Sequence, residues 1–64
     1  MEHLASDLAI AEAIAFCWRR GDSIADTRAS VERTLGVKLT FSDVQPHFAR
    51  LAQQWLALNT STAA

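Results

Sequence analysis

Two side chains in this chain have nucleophile chemistry, Cys17 and Ser23, and two have metal-ligand chemistry, His3 and His47. Cys17 falls on the apolar arc of a helix, where a thiol behaves as a small buried hydrophobe. Ser23 opens a helix, and capping accounts for it. His3 and His47 are 44 positions apart with no Cys or carboxylate at ligand spacing, which is not the pattern of a zinc site. Gly21 and Gly36 are the only glycines, so there is no loop to cradle a phosphate. These residues point away from catalysis. The expectation is a protein that is not an enzyme, with no metal and no cofactor.

The rest of the composition narrows the class. Sixty-four residues make one domain, and half of them are hydrophobic, with two Trp and three Phe, which demands a packed core. A core in so short a chain is marginal, and a single cysteine cannot reinforce it with an internal disulfide. The run from Leu8 to Trp18 is too short to cross a bilayer, which takes about 20 apolar residues. The opening Met1-Glu2-His3 lacks the basic start of a signal peptide. We expect a cytoplasmic protein with a reduced thiol and no membrane partner. Charge is unevenly spread: residues 1–18 carry −3 and residues 19–64 carry +2, for a net −1. Any contact with phosphates must therefore use the second part of the chain.

Three helices would position these side chains, giving an all-α, compact three-helix domain over residues 1–58 and a flexible tail over 59–64. The first helix runs from about Leu4 or Asp7 to Arg20 and stops at Gly21, with Arg19 and Arg20 in its last turn. It is apolar on two sides: Leu4, Leu8, Ile10, Ile14, Cys17 and Trp18 on one, and Ala5, Ala9, Ala13 and Phe16 on another. Either the helix lies centrally between the other two, or Ala9, Ala13, Phe16 and Trp18 belong to a seam with a second copy or another protein.

The second helix begins at a Ser23 cap, stops at Gly36 and buries Ile24, Val31 and Leu35, with Arg28 beside them. In the connector, Val37, Leu39 and Phe41 are expected to close the bottom of the core. The third helix starts near Ser42, where Ser42 to Gln45 fits a capping box, or at Pro46. Its apolar spacing of 4-3-4-3 through Val44, Phe48, Leu51, Trp55 and Leu58 is the strongest periodic signal in the chain. Trp55 is expected mid-core, where truncation to Ala costs roughly 3–5 kcal/mol.

The segment Trp18-Arg19-Arg20-Gly21-Asp22-Ser23-Ile24, then Leu35-Gly36-Val37, then Val44, Phe48 and Leu51 resembles trihelical helix-turn-helix DNA-binding proteins over about residues 10–58. That resemblance implies a helix-turn-helix transcriptional regulator with DNA as its partner; the homodimer is expected separately, from the two apolar sides of the first helix and the marginal core. It implies a recognition surface of Thr40, Ser42, Gln45, Arg50 and Gln53. Arg and Gln suit base edges, while the hydroxyls and Lys38 suit phosphates. The chain departs from the family in its longer second helix, a longer turn from Gly36 to Val44, and the lack of a β-hairpin wing.

A second resemblance, carried by Gly21-Asp22-Ser23-Ile24 and Leu35-Gly36-Val37-Lys38-Leu39, is to acyl and peptidyl carrier proteins. It would make Ser23 the modified residue. Here, however, Arg20 leads straight into Gly21-Asp22-Ser23, without the long loop those proteins have. The remaining class is a small helical adaptor or inhibitor acting by protein–protein binding, which the surplus apolar surface suits.

Overall fold

The computed structural model describes residues 6–63. Among them it contains three helices, α1 (Asp7–Arg20), α2 (Ile24–Leu35) and α3 (Phe41–Ala63), each packed on both of the others. This is the all-α three-helix domain expected. His3 and the alternative helix start at Leu4 lie outside the described residues.

Local chemistry fixes the first four helix ends. Ser6 and Ser23 sit in extended conformation ahead of α1 and α2. Each hydroxyl accepts from the amide three residues on, Ala9 at 3.1 Å and Asp26 at 3.0 Å. This satisfies an amide that the first turn leaves without a partner. Gly21 and Gly36 close the two helices at φ +90° and +71°, a left-handed geometry that a Cβ makes costly.

The third helix start differs from both sequence expectations. α3 begins at Phe41, not at Ser42 or Pro46, and its cap is Thr40. The Thr40 hydroxyl accepts from the Asp43 amide at 3.1 Å, and the Thr40 amide donates to Asp43 Oδ2 at 2.8 Å. This is a reciprocal capping box two residues earlier than the expected one. Phe41 consequently becomes the first residue of the helix and points outward, 58% exposed, instead of closing the core. Of the three connector residues expected to close the core, Leu39 packs against it and Val37 is half-buried.

The cap has a pH signature. Hydrogen bonds from the Thr40 backbone, then its side chain, hold the Asp43 carboxyl below its ordinary value. A carboxylate depressed in the folded state contributes stability above its unfolded pKa of about 3.9 and loses it as pH falls through the lower folded value. Below about pH 4 the melting midpoint of the parent chain should therefore fall more steeply than that of Asp43→Asn, which keeps an acceptor oxygen but cannot titrate. Identical slopes for the two proteins would remove this role for Asp43.

The core is small. Ile14, Val31 and Val44, one from each helix, are fully buried, and Ile10, Ala13, Ile24, Leu35, Leu39 and Phe48 pack around them. Cys17 is buried as expected. Thr27 is buried as well, a polar residue the apolar pattern did not indicate; its hydroxyl donates to the Ser23 carbonyl at 2.8 Å, so it enters the core satisfied.

The outer half of α3 overturns the expected core. Val44 is buried and Phe48 and Leu51 are half-buried, but Trp55 and Leu58 are 54% and 69% exposed. α3 has 23 residues against 14 and 12 in α1 and α2. At 1.5 Å per residue that is about 34 Å against about 21 and 18 Å. The apolar stripe runs beyond the neighbours that could cover it, and the molecule measures 48 × 23 × 19 Å. The helix also continues to Ala63, past the boundary at 58 drawn from the sequence.

Candidate nucleic-acid interface

Among the described residues, the three side chains with catalytic chemistry sit in different settings. Cys17 is inside the protein, Ser23 is exposed and engaged in its cap, and His47 is half-buried on α3. Among the described residues no group of three or more His, Cys, Asp or Glu could hold a metal ion. Only three residues, Gly21, Asp22 and Ser23, separate α1 from α2. Arg20 braces that turn, its Nε donating to Asp22 Oδ2 at 3.1 Å. The hydrogen bond from Arg20 also pulls the Asp22 carboxyl below its ordinary value. A carrier protein's long loop has no counterpart in this turn.

The face of α3 turned away from the core is a different case. At 100° per residue, Ser42, Gln45, Arg50 and Gln53 fall within an arc of about 140°, centred opposite Val44 and Leu51. All four are exposed. Pro46 and Ala49 lie between them and leave the backbone accessible to a flat or concave partner. The arc offers hydroxyl, amide and guanidinium groups along roughly three turns, the groups that can read base edges.

Thr40 lies at the mouth of this face, but its hydroxyl and amide are already used in the cap. Lys38 is exposed in the connector just before it. Beside Lys38 the structure places a second cation that sequence reasoning put only on the edge of a stripe. Arg28 reaches from α2, and its Nε donates to the Leu39 carbonyl at 2.8 Å. The two residues are eleven apart in the chain, and no local pattern announces that contact. It ties α2 to the connector and holds a guanidinium near the start of α3.

The four residues expected at a seam on α1 do not make one surface. Ala9, Ala13 and Phe16 share a side, while Trp18 is rotated about 200° from Phe16 and is half-buried. Ala13 packs against the core. Phe16 is 56% exposed, and the Arg20 guanidinium lies over its ring, 5.1 Å from the centroid, an arrangement favourable to both groups. Between α1 and α2 runs an open groove of about 410 Å³, floored by Ala13, Phe16, Cys17 and Val31 and edged by Arg20, Arg33, Ser30 and Thr34.

No family model matches the chain, and no similar characterised protein or solved structure was found. No helix among the described residues is long and apolar enough to cross a membrane. The arrangement itself therefore carries the functional argument. Among the described residues it offers an exposed polar helix face with cations near one end, and exposed apolar side chains on α1 and α3.

Proposed function

We propose that this protein is a small helix-turn-helix DNA-binding regulator that reads duplex DNA with the outward face of α3. The observation that carries the reading is the shared exposure of Ser42, Gln45, Arg50 and Gln53 along one side of the helix. A helix of this diameter fits the major groove, and a polar, guanidinium-bearing face is what base edges require. Lys38 and Arg28, together near the start of α3, would hold backbone phosphates beside the entering end of the helix. Arg50 and the Gln residues would supply the sequence preference.

The test is a titration of fluorescent duplex DNA, first a random pool and then the sequence it enriches, over a range of salt. With two or three phosphates neutralised per chain, log K should fall against log salt with a slope of about −2 to −3. Arg50→Ala should cost about 1–3 kcal/mol on the enriched sequence and relax one base position, while Lys38→Ala should weaken all sequences alike and reduce the slope by about one. A folded Arg50→Ala protein whose affinity equals the parent's at every salt concentration ends the DNA reading.

A protein-binding adaptor is the second reading, and the α1–α2 groove is what favours it. Its apolar floor, the exposed Phe16 ring and the Arg20 and Arg33 rim resemble the anchors of small interfaces. In that case Phe16→Ala, and not Arg50→Ala, should remove the activity.

A further inference from the structure

We propose that Arg28 is the positioning residue of the outward α3 face: its guanidinium, bound to the Leu39 carbonyl, sets the angle at which α3 leaves the connector, and so where Gln45, Arg50 and Gln53 meet a duplex. This rests on the DNA reading and adds to it a residue that gives sequence preference without touching a base. The ground for it is the place of one hydrogen bond. Arg28 Nε donates to the Leu39 oxygen at 2.8 Å across eleven positions of the chain. Among the described residues 6–57, every other side-chain, cap and turn hydrogen bond joins residues five or fewer apart. The helices otherwise meet through packing around Ile14, Val31 and Val44. Apolar packing is non-directional, and helix crossing angles scatter by about 15–20° around their preferred values. A directional bond narrows that choice.

The bond acts where a small change is magnified. Leu39 packs against the core by its side chain, and Arg28 takes its carbonyl, so this residue is held from two sides. The next residue, Thr40, caps α3 together with Asp43. The influence of Arg28 extends to that cap: hydrogen bonds from Thr40 hold the Asp43 carboxyl below its ordinary value, and the Arg28 charge adds to the effect. From Phe41, the first residue of α3, to Gln53 is about 18 Å along the axis. A swing of about 10° at the start, within the ordinary scatter of packing angles, moves Gln53 by about 3 Å, the length of a hydrogen bond. That is enough to take a side chain off a base edge.

A guanidinium suits this place better than another cation would. Arg28 is exposed, and among the described residues its Nη atoms carry no other hydrogen bond. They can take a phosphate oxygen while Nε keeps the carbonyl, so one planar group would join the hold on the DNA backbone to the pose of α3. A lysine ammonium is a point donor on a flexible stem and cannot keep both partners in a fixed geometry.

The full chain, titrated with the enriched duplex and with the random pool over a range of salt, tests this. Lys38→Ala is expected to change the salt slope, and Arg50→Ala the preference for the enriched sequence. Arg28→Gln should do both. It should reduce the slope by about one and lower the affinity ratio of enriched over random DNA roughly tenfold, the loss of one good base contact. Its circular dichroism and melting midpoint should stay near the parent's. Arg28→Lys should restore the slope and leave the ratio low. In the free protein, the Nε–H proton of Arg28 should exchange with water several-fold more slowly than those of Arg19 and Arg33, which are exposed without such a bond. A parent chain that binds no DNA, or an Arg50→Ala protein that binds like the parent, ends the DNA reading and this inference with it. A parent that meets those expectations ends the inference alone if Arg28→Gln keeps the full ratio, if Arg28→Lys regains it, or if the Arg28 Nε–H exchanges as fast as the other two.

Discussion

Ile14→Ala is expected to leave a chain that no longer melts cooperatively. Ile14 is completely buried and is one of three side chains, with Val31 and Val44, at the point where all three helices meet. Truncating a buried Ile to Ala removes transfer free energy and leaves a cavity, together about 2–5 kcal/mol. A chain of 64 residues has roughly 3–10 kcal/mol of stability to lose. No disulfide covalently reinforces the fold, since the single cysteine, Cys17, is free. Thermal denaturation followed by circular dichroism checks this, with Trp55→Ala as the comparison. Trp55 is the larger side chain, and its place mid-stripe pointed to the larger loss. Being 54% exposed, it should cost no more than about 1 kcal/mol in the monomer. A Trp55→Ala protein that melts far below the parent at low concentration, with Ile14→Ala unchanged, would reverse the assignment of the core.

The second large effect is a gain. Pro46 is the sixth residue of α3, beyond the first turn, where the amides lack intrahelical partners anyway. A residue with an N–H at this place would donate to the Ser42 carbonyl; proline cannot, and its ring crowds that carbonyl. Proline inside a helix is about 3 kcal/mol less favourable than alanine. Its stiffening of the unfolded chain offsets about 0.4–1 kcal/mol of that. Pro46→Ala should therefore stabilise the domain by about 1–3 kcal/mol and raise the melting midpoint by roughly 5–15 °C. A midpoint that stays level or falls would mean that the helix begins at Pro46, as the sequence also allows. Pro46 stands between Gln45 and Arg50 on the outward face, so the same variant tests whether the proline shapes that face. DNA affinity that drops while stability rises would show a helix held locally bent for contact.

Much of this fold is written in short-range chemistry. Ser6 and Ser23 each bond an amide three residues on, and Gly21 and Gly36 each adopt a positive φ one residue past a helix. Such ends depend on a few consecutive residues, and the first two helices can be bounded without knowing what they pack against. The 4-3-4-3 spacing likewise determines which side of α3 turns inward and, by difference, that Ser42, Gln45, Arg50 and Gln53 turn outward. The start of α3 was less determinate because two overlapping caps were available. Thr40 with Asp43 and Ser42 with Gln45 both fit, and the Thr40 pair prevailed with two hydrogen bonds, turning Phe41 outward.

How far along each helix the neighbours reach is set by packing alone. Periodicity records an angle around an axis and nothing about the length of the helices alongside. Val44 and Trp55 belong to one stripe, yet α1 and α2 cover the first and not the second. The same blindness to neighbours hid Thr27, whose burial depends on the helices around it, and the Arg28 bond to Leu39, whose partners lie eleven positions apart. The sequence therefore determined the helices, most of their ends and their inward sides. Packing of unequal lengths decided which part of that inward side became core and which part was left exposed.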